Sequence, residues 1–219
     1  MSDTALLPSR AWRTTAPARL ERRAVLKRAL DVLLAGGALV LSLPLLVILA
    51  AAVHLDSPGP VLFRQRRVGL NGREFTILKL RSMVANAEAL RERLEAANEA
   101  DGPLFKITHD PRVTRLGRWL RKLSLDELPQ LLNVVRGDMS LVGPRPALPH
   151  EVDSYDHRAA RRLLAKPGIT GPWQVSDRHR SSFEDYLALD LDYVENWSIG
   201  RDLLLLARTV PAVLQRTGA

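Results

Sequence analysis

No cysteine occurs among the 219 residues. That excludes disulfides and thiolate zinc sites, and it fits a reducing compartment. Histidine is sparse, and His54, His109, His150, His157 and His179 never fall at the i, i+4 spacing of a helix-borne metalloprotease site. Each reads as a surface or half-buried side chain. Internal repeats and low-complexity segments are absent. Only one apolar run, Val32 to Val53, is long enough for a bilayer, and it starts too late and runs too long for the h-region of a cleaved signal peptide. No zinc-finger, homeodomain or RRM signature accompanies the basic charge, so a nucleic-acid binder would leave that apolar run unexplained.

What is present is a basic chain with a real core. Lys and Arg outnumber Asp and Glu by 32 to 24, giving +8 and a pI near 10.5. Such an excess points to phosphate-bearing partners: nucleic acid, an anionic membrane or a phosphorylated substrate. The hydrophobic share of 46% supports one domain with appendages.

Residues 1–26 form a basic arm, with Pro8 and Pro17 opposing a long helix before about residue 18. Residues 27–55 carry the membrane segment, and residues 56–219 read as a soluble domain. The uncharged stretch from Val32 to Val53 would measure roughly 33 Å as a helix. Its flanks are both basic: Lys27 and Arg28 on one side, Arg64, Arg66, Arg67, Arg73, Lys79 and Arg81 on the other. A spanning helix keeps its positive charge on one flank, so both ends prefer the cytoplasm. Pro44 interrupts the run, and Ser42 could offer its hydroxyl to a freed carbonyl. The residues leave two arrangements open, a re-entrant helix that kinks and returns, or a kinked spanning anchor.

Beyond Asp56, residues 61–63 and 74–78 read as strands of a hairpin turning at Asn71-Gly72. Residues 84–99 read as a helix ended by Asp101-Gly102-Pro103. Leu116, Trp119, Leu120 and Leu123 lie at helical spacing among Arg115, Arg118, Arg121 and Lys122. That helix suits either a membrane interface or the domain surface. Leu203 to Leu206, with Val210, Val213 and Leu214, admits the same two readings.

The stretch from Arg121 to Pro146 is the most informative. Ser124 followed by Glu127 has capping-box spacing, Asp126 suits the positive end of a helix dipole, and Gly137 closes the helix. Three details favour chemistry instead. Pro129 sits inside that expected helix and costs it a hydrogen bond. Asp126 and Glu127, adjacent carboxylates, could hold a divalent metal or divide nucleophile and base roles. Arg145, fixed between Pro144 and Pro146, presents a guanidinium fork as a phosphate site would want. His150, Glu151, Asp153, Asp156 and His157 look metal-like by type but read as a solvated helix face, and Arg112 is a second phosphate candidate whose plainer alternative is a turn, Asp110-Pro111-Arg112, with a solvated tip.

Several blocks stand in a telling order: Lys27-Arg28-Ala29-Leu30-Asp31, Lys79-Leu80-Arg81-Ser82-Met83, Asp110-Pro111-Arg112, Ser124-Leu125-Asp126-Glu127-Leu128, Gly137 to Pro146, and Lys166-Pro167-Gly168-Ile169-Thr170-Gly171. Together they resemble the bacterial sugar transferase family, the monotopic phosphoglycosyl transferases, over about residues 27–215. The resemblance implies an α+β, mostly helical protein. A re-entrant membrane helix would carry a small catalytic domain with short strands and interfacial amphipathic helices, on the cytoplasmic face of the bacterial inner membrane. It implies Mg2+ held by Asp126 and Glu127, with Asp126 as nucleophile and Glu127 assisting. Lys79, Arg81, Arg121 and Arg145 match basic positions expected near phosphates. The expected partners are a UDP-sugar, undecaprenyl phosphate and inner-membrane lipids, with no nucleic acid, and a homodimer is left open. The expected reaction releases UMP and begins exopolysaccharide or related glycoconjugate synthesis. The run from Leu189 to Ser198 inclines the sugar toward glucose or galactose, with N-acetylated sugars open. Two departures stand out: Asp177 where glycine is expected, and Leu43 between Ser42 and Pro44. A non-catalytic basic membrane adaptor competes, but it leaves Asp126, Glu127 and Arg145 without a purpose.

Overall fold

The computed structural model describes residues 18–99, 102, 103, 105, 107–176 and 182–214, so Asp177 lies outside the described residues. The first element is a single helix, α1 (Ala18–Asp56), 39 residues or roughly 58 Å long. It runs through Pro44 without interruption. Pro44 lacks the N–H that Val40 O would accept. The Ser42 hydroxyl donates instead to Leu39 O, at 3.2 Å.

Only one face of α1 is covered. Ala35 packs with Ile77, Leu131, Val134 and Met139, and Val53 packs with Leu80 and Leu120. Leu33, Val40, Leu41, Val47 and Ile48 stay exposed. Polar contacts fix the helix at both ends. Lys27 Nζ pairs with Asp202 Oδ2 at 2.6 Å, and Arg28 donates to Val134 O and Val135 O at 2.6 and 2.7 Å. Asp31 Oδ1 accepts from Ser140 Oγ and the Leu141 amide. At the far end Arg81 Nη2 donates to Val53 O at 3.2 Å and Ser57 O at 2.5 Å.

The hairpin β1 (Leu62–Val68) and β2 (Glu74–Leu80) turns through Asn71 and Gly72, both at positive φ. Both strands outrun the expected 61–63 and 74–78, because Arg64, Gln65, Arg66 and Arg67 continue β1 with exposed and half-buried positions alternating. The expected helix over 84–99 is reduced to α2 (Ala87–Arg91) and a 3-10 turn over Glu92–Ala97. Helix α3 (Arg115–Lys122) is capped by Thr114, buries Leu120 and leaves Trp119 58% exposed. Helix α4 (Gln130–Arg136) ends on Gly137 at φ 94°, as expected.

The expected capping box does not form. Ser124 has φ 54°, in the left-handed region, and its side chain caps nothing. Residues Leu125–Glu127 make a 3-10 turn, and α4 begins only after Pro129. Pro129 therefore sits where no N–H is required and costs the helix nothing, contrary to the sequence-based argument.

Two parallel strands, β3 (Ser140–Val142) and β4 (Gly168–Thr170), form the second sheet. A Cβ on Gly143 would lie 2.2 Å from Lys166 O, so glycine alone lets the two chains meet there. Short helices α5 (Pro149–Asp153), α6 (His157–Ala160) and α7 (Pro172–Val175) follow, then α8 (Phe183–Glu195) and α9 (Ile199–Leu214). Helix α9 buries Leu205 and exposes Leu203, Leu204 and Val210.

Candidate active site

Asn133, fully buried on α4, fixes the site's frame. Its side chain accepts from the Leu78 amide at 3.0 Å and donates to Thr76 O at 2.7 Å, locking α4 against β2. That brings Lys79 on β2 to the turn before α4, where Lys79 Nζ pairs with Glu127 Oε1 at 2.7 Å. Asp126 is 6% exposed. Burial raises its proton affinity, Glu127 beside it adds to the rise, and Lys79 and Arg121 offset only part. The Asp126 carboxyl therefore titrates above the usual carboxylate range. The left-handed Ser124, two residues before Asp126, is one of two described non-glycine residues at positive φ. Backbone of that kind collects at functional sites, where the surroundings over-determine it.

A cavity of about 2940 Å³ unites Lys79, Arg121, Asp126, Glu127 and Arg145. Arg145 is half-buried and meets Glu151 at 3.4 Å. Glu151 is not the solvated residue expected. It is 1% exposed, and its other oxygen accepts from the Leu148 amide at 2.8 Å. Asp156 caps α6 through the Ala159 amide. Arg112 is likewise no solvated tip. It is buried, forked onto Asp110 and set over the Phe105 ring. Arg81 also lines the cavity, but its guanidinium donates to the carbonyls of Val53, Ser57 and Pro60. These bonds hold α1 to the hairpin.

Sequence reasoning missed a buried network behind Arg145. Arg162 is 2% exposed, pairs with Asp190 at 2.6 Å, and donates to Tyr155 Oη, Tyr186 Oη and the carbonyl of Arg145. Nothing in the local pattern distinguishes this arginine from its surface neighbours. Arg67 was missed too, although alternation along β1 places it with Phe63 and Gln65 on the half-buried side. Arg67 Nη1 donates to Pro146 O at 2.9 Å. Among the described residues, no group of three or more His, Cys, Asp or Glu is placed to hold a metal ion. Asp126 and Glu127 remain as a two-carboxylate donor set.

A buried carboxyl beside a lysine–glutamate pair and under the influence of Arg121 suits group transfer at phosphorus, where positioning and charge neutralisation dominate. The chain belongs to the bacterial sugar transferase family, whose model matches residues 22–216. It is 44% identical over 197 residues to the exopolysaccharide production protein ExoY of Rhizobium meliloti, covering 88% of this chain and 87% of that one. It is 46% identical over 203 residues to a UDP-glucose:undecaprenyl-phosphate glucose-1-phosphate transferase of Caulobacter vibrioides, covering 88% and 71%. It is also 47% identical over 199 residues to the UDP-galactose-lipid carrier transferase of Erwinia amylovora, covering 89% of this chain but 41% of that longer protein. The chain is thus a transferase, and α1, long and apolar enough to cross a membrane, associates it with one.

Proposed function

We propose that this chain transfers a sugar-1-phosphate from UDP-glucose or UDP-galactose to undecaprenyl phosphate through a phosphosugar carried on Asp126. The observation that carries the reading is the buried Asp126 beside the Glu127–Lys79 pair, in a chain whose relatives are named for this transfer. An Asp126 oxygen attacks the sugar-bearing phosphorus. The bond from that phosphorus to the UMP oxygen breaks, and its electron pair leaves with UMP. An oxygen of undecaprenyl phosphate then attacks the same phosphorus and restores the carboxylate. Lys79 holds Glu127 in place, and Arg121 and Lys79 favour the ionised Asp126 that attack requires. Two carboxylates fit Mg2+, which takes one or two protein carboxylates and fills its shell with waters and substrate phosphates. Held by Asp126 and Glu127, that ion would supply neutralisation of phosphate charge.

The test is UMP release without acceptor. Solubilised protein given UDP-glucose should release UMP in an amount no greater than the protein present, and labelled UMP should exchange back into UDP-glucose. UMP appearing only after undecaprenyl phosphate is added would exclude the covalent route. The sugar panel should include N-acetylated donors, whose turnover above both hexoses would overturn the sugar assignment.

The same reading puts the catalytic domain, and both ends of α1, on the cytoplasmic face of the inner membrane. In support, Lys27, Arg28 and Asp31 near one end and Val53 near the other attach to the same domain. With no native cysteine, single cysteines at Ala18 and Asn71 give a clean readout. Both should resist an impermeant thiol reagent applied from the periplasm. Labelling of one alone would mean that α1 spans.

A further inference from the structure

We propose that Arg67 and Arg145 are the two arms of a single phosphate site in the cavity, closing on the oxygens of a phosphate ester. The proposal rests on the transferase reading above and adds to it a binding residue and its ligand class. Both side chains line the cavity that holds Asp126 and Glu127. Arg67 reaches Arg145 through the next residue, since Arg67 Nη1 donates to Pro146 O at 2.9 Å. Its Nη2 donates to Gln65 Oε1 at 2.7 Å, while its Nε is buried with no hydrogen-bond partner among the described residues. Arg145 has five N–H donors, and its one side-chain hydrogen bond among the described residues, to Glu151, is long at 3.4 Å. The backbone around Arg145 is fixed from the other side by Arg162 Nη2, which donates to Arg145 O at 3.1 Å. The loop is thus held rigidly while the guanidinium it presents is left with donors unused.

Charge points the same way. The cluster holds three cations, Arg67, Arg145 and Arg162, against two buried carboxylates, Glu151 and Asp190. Burial, and after it the neighbouring Arg145, pulls the proton affinity of Arg67 well below the usual arginine range. Glu127, which also acts on Arg67, is already paired with Lys79, so the cluster is short of negative charge. Guanidinium forks match phosphate oxygens in spacing and plane, so a phosphate supplies both the charge and the acceptors. Two substrates carry such a group, the nucleotide sugar in its diphosphate and the polyprenyl carrier in its head group.

Full-length protein in detergent, as wild type, Arg67→Lys and Arg67→Gln, decides among these. Melting temperatures are read with and without inorganic pyrophosphate, and KM is read for UDP-glucose and for undecaprenyl phosphate. Lysine keeps the charge and loses the fork, so Arg67→Lys should forfeit the pyrophosphate protection and raise one KM by about tenfold or more. A rise confined to UDP-glucose assigns the site to the nucleotide sugar, and one confined to undecaprenyl phosphate assigns it to the carrier. Equal protection in wild type and variant, no protection in wild type, or both KM values unchanged would overturn the proposal. So would collapse of both variants, which would make Arg67 a structural residue. Should wild type release no UMP, the transferase reading fails, and the pyrophosphate comparison still decides this one.

Discussion

Asp126→Asn should lower turnover by several orders of magnitude while leaving the melting temperature unchanged or slightly higher. An amide cannot attack phosphorus as a carboxylate does, and it cannot be released as the second transfer demands. The rival role, complementing a helix dipole, would cost only about 0.3–1 kcal/mol of stability on substitution and would spare activity. That role has little to stand on, because Ser124 is left-handed and α4 starts beyond Pro129. The pH dependence has a definite sign. Asp126's folded-state proton affinity is raised, chiefly by burial. The fold therefore favours the protonated form, a contribution fully present below the unfolded carboxyl value of about 3.9 and lost as pH rises through the folded value. Asparagine has no charge to bury, so the variant should gain on wild type as pH rises from acid toward neutral. Wild-type activity should fall on acidification earlier than an ordinary carboxylate would dictate. Chemical denaturation of both proteins from pH 4 to 8, beside UMP release, checks each part. Full activity in Asp126→Asn would sink the mechanism, and a variant uniformly less stable across that range would return Asp126 to a structural role.

How far the sequence carried can be judged at α1 and at Ser124. The 22 uncharged residues from Val32 to Val53 announced a membrane segment, because composition alone decides whether a helix tolerates lipid. Which face packs, and through what, depends on Asp202, Ser140 and Val134, more than a hundred residues away in the chain. At Ser124 the capping-box spacing was satisfied and the box still failed to form. Local hydrogen bonds of about a kilocalorie are readily overridden by packing. Gly137 succeeded where Ser124 did not, since a helix stop on a left-handed glycine needs only its own backbone. Glu151 misled for a related reason. Its neighbours His150, Asp153 and Asp156 are surface types, but Arg145 six residues earlier turns back and pairs with it. The pairing of Lys79 with Glu127 joins residues 48 apart, beyond the reach of any periodicity. The adjacent carboxylates drew attention to Glu127 on chemical grounds, whereas only the family's motifs pointed to Lys79.

Arg162→Met should cost about 3–5 kcal/mol, the largest stability loss expected outside the core, because it leaves Asp190 charged and buried. The pair is inaccessible, at 1% and 0% side-chain exposure, and Asp190 Oδ1 already lacks a partner among the described residues. Burial raises Asp190's proton affinity, and Arg162 is the main opposing influence. With Arg162 gone the carboxyl's folded value should rise further. The variant's deficit should then be greatest at neutral pH and shrink on acidification as Asp190 takes a proton, which urea titrations at two pH values would reveal. Replacing both partners, as Arg162→Met with Asp190→Leu, should recover most of the stability, since an apolar pair leaves no buried charge. Activity is expected to behave differently. Arg162 also holds the carbonyl of Arg145, and neither methionine nor leucine can make that bond. The double variant should therefore fold well yet keep a raised KM for a phosphate-bearing substrate, because the Arg145 fork is no longer fixed. If stability and KM recover together, Arg162 serves the fold alone, and Arg145 does not need its backbone held in order to work.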